Sequence, residues 1–247
     1  MNIRKQTSPP RLGSQDAFTL VELLITMVIS SFVIASIYSA YQVQQRQYTN
    51  QAQVVEMQQN LRAAMQFITS ELRMAGYDPR GTSGAGFLEA KGHKVQFTKD
   101  TVNGSGTAER GDGLLTGAME DVFFGFDPAD DTDNDGEADS GSASLMLSQD
   151  YDSSAPNSSN YRDIADNIHA IEFSYNMADG TTSTAPSDLS NIDSITVSIL
   201  ARAKHPDSSF TNSTVYTTGG TNSWGPFNDN YRRRLLVTNI KCRNMGL

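Results

Sequence analysis

From Phe18 to Tyr41 the chain reads FTLVELLITMVISSFVIASIYSAY, 24 residues whose only charged side chain is Glu22. At about 1.5 Å rise per residue, a helix of that length covers the roughly 30 Å hydrocarbon layer of a bilayer. No other segment constrains the chain as much, because so continuous an apolar surface has to leave water. The 17 residues before it are polar, carry Arg4, Lys5 and Arg11 against Asp16, and contain the helix-opposing Pro9-Pro10 and Gly13. Basic residues precede the apolar run and none follows until Arg46. Positive charge stays on the cytoplasmic side, so residues 1–17 are expected in the cytoplasm and everything after Tyr41 across the membrane. A conventional secretory signal has a shorter apolar run followed by small residues at a cleavage site, and this segment has neither.

Glu22 demands an explanation, since a carboxylate within the apolar part of a membrane helix costs about 3 kcal/mol on insertion scales and calls for a designated partner. The residues Ala17-Phe18-Thr19-Leu20-Val21-Glu22-Leu23-Leu24 resemble the processing site of type IV prepilins. That resemblance implies a prepilin peptidase that cuts between Ala17 and Phe18 and then methylates the new Phe18 amine. It also puts Glu22 fifth in the mature chain, where its carboxylate neutralises the Phe18 amine of its own or a neighbouring subunit inside an apolar filament core. An unpaired charge there would be heavily penalised. Two features depart from the usual pattern: Ala17 stands where the family has Gly, and the leader is longer than many. Cutting after Gly13, the nearest glycine, would make Glu22 ninth instead of fifth. Loss of residues 1–17 removes three basic side chains and one acidic one, taking the net charge from -9 to -11.

Beyond the membrane segment, residues 42–75 lack Pro and Gly and are rich in helix formers, so the helix is expected to continue to about Tyr77. Val54, Met57, Leu61, Met65, Ile68, Leu72 and Ala75 recur three or four apart and make one apolar stripe, suited to packing on a globular head. A coiled coil is the alternative, but the pattern lasts about three heptads before the helix stop Gly76-Tyr77-Asp78-Pro79.

After Gly81 the composition turns to Gly, Ser, Thr, Asn and Asp with short β-favouring runs. Strands are expected over 93–98, 121–126, 143–149, 168–177, 192–203 and 231–243. Within 192–199, Ile195, Val197 and Ile199 alternate with Ser194, Thr196 and Ser198, which supplies one apolar face to cover the helix stripe. The expected fold class is α+β: one long helix laid on an antiparallel sheet. The expected organisation is a leader over 1–17, a membrane or filament-core helix over 18–41, an amphipathic helix over 42–77 and a β-rich head over 78–247. The segments LRMAGYDP (72–79), ADNIHAIEFSYN (165–176), SITVSILARAK (194–204) and RRRLLVTNIKCRNMGL (232–247) are similar to minor pilins of the type IV pilus assembly protein W (PilW) family. J-type pseudopilins of type II secretion share much of the pattern. The resemblance implies a pilin-like fold. It also implies as partners the prepilin peptidase, other major and minor pilins or pseudopilins, a pilus assembly platform and the inner membrane.

Between Asp127 and Asp139 lie six aspartates and one glutamate. Asp131, Asp133, Asp135 and Gly136 match the first half of the calcium-loop template D-x-[DN]-x-[DN]-G, in which alternate oxygens converge on a hard cation and Gly permits the turn. Ser142 stands where an EF-hand has its bidentate Glu, so the match is to shorter D-x-D-x-D-G-x-x-D loops, with Asp139 and the backbone of Glu137 as further ligands. The same residues also read as a solvated acidic spacer.

Chemistry beyond this is sparse. His93, His169 and His205 lack mutual ligand spacing, and no nucleophile elbow, HExxH, P-loop or dinucleotide fingerprint occurs. No enzyme is expected. The net charge of -9 argues against nucleic acid. Cys242 is the only cysteine, so no intrachain disulfide forms. Trp224 reads as a turn or core anchor before a binding aromatic. Arg232, Arg233 and Arg234 read as a solvated strand edge before a subunit interface. Three functions remain on the page: a minor pilin near a filament tip, a pseudopilin of type II secretion, and a membrane-anchored calcium-dependent adhesin.

Overall fold

The computed structural model describes residues 18–101, 111–115, 119–149 and 161–245. The leader over 1–17 lies outside the described residues. Helix α1 runs Leu20–Leu72, and contacts divide the chain into one unit ending at Thr49 and a second spanning Asn50–Leu247.

In the first unit the apolar side chains stand open along the helix: Phe18 is 88% exposed, and Leu20, Ile29, Phe32, Ile37 and Tyr41 are all exposed. Among the described residues, α1 is the one helix long and apolar enough to cross a membrane.

In the second unit the sequence stripe becomes the inner face of the helix. Met57, Leu61, Met65, Ile68, Leu72 and Ala75 are buried and join the core cluster, while Val54 is only half-buried. The helix stops at Leu72, short of the expected Tyr77. Met74 N donates to Glu71 O and Ala75 N to Leu72 O, a tightened last turn. Gly76 then takes φ +74° and its N–H goes to Thr98 O, which hands the chain to the sheet. Lys99 fastens the junction by pairing with Glu71 at 2.5 Å.

The sheet is built from β1 (Phe87–Ala90), β2 (Val95–Thr98), β3 (Asp121–Gly125), β4 (Ala143–Gln149), β5 (Tyr161–Met177), β7 (Ile192–Arg202) and β10 (Arg233–Lys241), in that spatial order. The short β6 (Thr182–Ser183) pairs with β5, and β8 (Tyr216–Thr217) pairs with β9 (Ser223–Trp224) as a separate ribbon. Every pairing is antiparallel. Phe97, Phe124, Leu145, Ile171, Phe173, Ile195, Val197 and Ile199 meet the helix stripe in one cluster. Phe67 adds an edge-on contact to Phe124, with ring centroids 6.3 Å apart.

Strand β5 changes partner along its length. Residues 161–168 pair with β4, and residues 168–177 pair with β7. Loops take over the edge that β4 leaves: Ile171 N donates to Gly136 O, Ala138 N to His169 O, and Phe173 N to Gly92 O. Backbone of the acidic loop and of the turn from β1 to β2 thus continues the hydrogen bonding of β5. The polar face of β7 is covered as well. Ser198 is fully buried and its hydroxyl accepts from Gly219 N at 2.9 Å, because the turn between β8 and β9 lies on it.

Candidate functional site

At the N-terminal end, Thr19 and Glu22 form a reciprocal cap. Thr19 N and Oγ1 donate to Glu22 Oε2 at 2.8 and 2.9 Å, and Glu22 N donates to Thr19 Oγ1 at 3.3 Å. Each group satisfies an orphan donor of the first turn, the arrangement of a capping box. The helix therefore starts at Leu20, two residues after Phe18. Ala17, the other half of the expected cleavage bond, lies outside the described residues. Thr19 is the partner that orders the Glu22 carboxylate, and T-x-x-E ahead of an apolar run is its signal in the sequence.

The acidic loop is folded back on itself. Asp131 is 4% exposed, and its carboxylate accepts from Asp135 N and Gly136 N, both at 3.1 Å. Asn134 and Gly136 adopt left-handed φ of 60° and 84°. At Gly136 only glycine suits, because a Cβ would stand 2.5 Å from Ile171 O. One carboxylate oxygen each from Asp131, Asp133 and Asp135 lies within 4.8 Å of the others. Burial, then repulsion from Asp135 and Asp133, raises the Asp131 carboxyl against the opposing pull of the Gly136 N–H.

The side chains of Asp139 and Glu137 have partners of their own. Asp139 is turned to Thr132, accepting from its N and Oγ1 at 3.1 and 2.7 Å; these bonds hold its carboxyl below the usual range. The Glu137 carboxylate sits 3.7 Å from His169 Nε2, and its backbone bridges to Ala170. Burial raises the Glu137 carboxyl, with repulsion from Asp135 second. The loop thus gathers three carboxylates, and the other two serve its own architecture.

The histidines stand in three unrelated settings. His169 is buried, donates from Nδ1 to Gly141 O and packs edge-on against Phe227 at 4.4 Å. Burial pulls its pKa down to about 4. His93 is half-buried beside the acidic loop, also lowered chiefly by burial. His205 is exposed, and its backbone N donates to Gln53. Trp224 is buried against Ala170 and Leu200, the setting of a core anchor.

The three arginines have separate roles. Arg232 binds Asp207 Oδ2 through Nε and Nη2 at 3.1 and 2.8 Å, with its guanidinium 4.3 Å over Phe210. Arg233 makes two 2.6 Å bonds to Asp229 and lies 4.0 Å over Phe227. Arg234 is exposed on β10, the end strand of the sheet.

Comparison with known proteins adds two matches. Residues 13–38 match the model of the prokaryotic N-terminal methylation motif, and residues 131–244 match that of Type IV Pilus-assembly protein W. A search of curated proteins finds no match. Among solved structures, the Type IV-like pilin TTHA1219 from Thermus thermophilus is similar at 17% identity and a TM-score of 0.47, over 76% of this chain and 98% of that one.

Proposed function

We propose, from the premise that this chain is a type IV prepilin-like protein with a methylation motif and a region similar to type IV pilus-assembly protein W, that it is a minor pilin. It serves as a non-enzymatic filament subunit that helps start assembly near the tip. Prepilin peptidase cuts between Ala17 and Phe18 and methylates Phe18, removing residues 1–17. Residues 18–41 hold the chain in the inner membrane as a single pass, with the head from residue 78 on the periplasmic side. The chain then passes through the assembly platform into a filament of major and minor pilins. The observation that carries this reading is the Thr19–Glu22 cap inside the matched motif. A helix that begins beside the bond to be cut, with a carboxylate ordered in its first turn, is prepared to receive a new amine. Mass spectrometry of the N-terminus is the test: N-methylated Phe18 is expected, and assembled material starting at Met1 or Ser14 overturns the assignment.

A pseudopilin of type II secretion would use the same processing and packing. Mild crosslinking in native membranes separates the two, since pilus subunits are expected among the neighbours and secretion-system subunits would replace the pilin reading. The convergence of Asp131, Asp133 and Asp135 supports a further element, a calcium ion held in this loop. Calcium would stiffen a head that displays a binding surface, as an adhesin requires.

A further inference from the structure

A cavity of about 270 Å³ opens beside β5, between the acidic loop, the turn from β1 to β2 and the ribbon of β8 and β9. Its lining includes Glu172, His93, Asp135, Asn134, Asn222 and Trp224. Glu172 is 2% exposed, and neither of its carboxylate oxygens has a hydrogen-bond partner among the described residues. His93 Nε2, in the same wall, is likewise buried and without a partner. The turn over this face comes very close: a Cβ on Gly220 would stand 2.8 Å from Glu172 Oε2. A carboxylate enclosed in this way is costly unless a cation or strong donors meet it, and no ion pair from Glu172 to any described Lys or Arg exists.

We propose that this cavity is a binding site for a small ligand that carries a protonated amine beside hydroxyl groups, the chemistry of an amino sugar. The amine meets Glu172. Asn134 and Asn222 offer amide groups for neighbouring hydroxyls, His93 Nε2 offers one more polar contact, and Trp224 contributes an apolar wall. Lys91 is exposed at the rim. The volume falls below the roughly 300–1,000 Å³ of drug-sized pockets, which restricts the occupant to about one ring. A metal ion alone fits less well, since the convergent carboxylates are Asp131, Asp133 and Asp135, a set that excludes Glu172. The site depends on the head's own residues and stands whether or not the chain is processed at Phe18.

Trp224 is the only tryptophan of the chain, so its fluorescence reports this cavity. Full-length protein in detergent is titrated with glucosamine, glucose and calcium chloride. Saturable change with glucosamine is expected, with glucose much weaker. Glu172→Gln should weaken glucosamine binding about thirtyfold or more, the scale for removing one partner of a desolvated charge pair. Ala185→Leu, at the exposed edge of the lining, should block binding while leaving far-UV circular dichroism and Glu172 unchanged. No response to glucosamine, equal binding of glucose, or unchanged affinity in Glu172→Gln overturns the proposal. So does a calcium response that Glu172→Gln abolishes, which would give the cavity to the metal.

Discussion

Glu22 Oε2 accepts both the amide and the hydroxyl protons of Thr19, at 2.8 and 2.9 Å, so the carboxylate is turned back toward Phe18 and away from the helix that follows. Two substitutions separate its roles. Glu22→Ala removes a charge that opposes insertion, so membrane recovery should be unchanged while recovery in sheared filaments falls sharply. Thr19→Val deletes the hydroxyl but keeps the carboxylate, and incorporation should fall less. Normal filament recovery of Glu22→Ala would remove the pairing role.

Calcium should stabilise the head through Asp131, Asp133 and Asp135. At free calcium of about 100 times the dissociation constant the gain is roughly 2.7 kcal/mol, enough to move a melting curve, whereas magnesium should substitute poorly. Asp133→Asn combined with Asp135→Asn should abolish the shift and leave the calcium-free melting temperature equal or higher, because it relieves repulsion. Unchanged melting on chelation, together with no heat on titration, makes the loop an acidic spacer.

Acid should weaken the fold through His169. Its pKa of about 4 lies below the ordinary 6.5, so the unfolded chain takes up the proton first as pH falls. The stability it contributes is complete above about pH 6.5 and is lost progressively toward pH 4, to a limit of about 3 kcal/mol. Asp130, Asp131 and Glu137, whose carboxyls are raised, act in the opposite sense, losing stability as pH rises through their folded values. His169→Gln removes only the histidine contribution. Its stability, measured by urea unfolding, should fall less than that of wild type as pH drops from 6.5 to 4, and an identical slope would show that His169 plays no part.

Ile68 is fully buried at the centre of the helix stripe. Ile68→Ala should destabilise the head by about 2–5 kcal/mol, the range for truncating a close-packed aliphatic side chain. Ile29→Ala, on the exposed apolar part of α1, should leave the head's denaturation midpoint where it was. Equal losses from both would mean that the two stretches of helix share one core.

Periodicity made much of this architecture readable. A stripe from Met57 to Ala75 has one physical solution, burial on one side, and the alternation of Ile195, Val197 and Ile199 provides the facing surface. Strand β4 coincides with its expected range of 143–149. Other features depend on distant partners. The first part of β5, beginning Tyr161-Arg162-Asp163, is too polar to read as a strand and is extended because β4 lies beside it. Strand β1 is four residues long and has its place through β2. In the acidic loop, spacing alone indicated the convergence of Asp131, Asp133 and Asp135. The diversion of Asp139 to Thr132 and of Glu137 toward His169 depends on how the loop closes over β5. Nothing local marked Glu172, since an isolated glutamate in a strand looks solvated until the turn at Gly219 and Gly220 covers it.

Cys242 follows β10 directly, is 2% exposed, and donates its backbone N–H to Asp193 O at 3.0 Å. Burial pushes its thiol up to about 12, so in the closed sheet it is both hidden and unreactive. As the sole thiol of the chain, it makes a stopwatch for the outer strand. The pace of its modification by an aromatic disulfide reagent measures how often β10 peels from β7, and the same reading on subunits inside a filament would tell whether polymer neighbours clamp that strand shut.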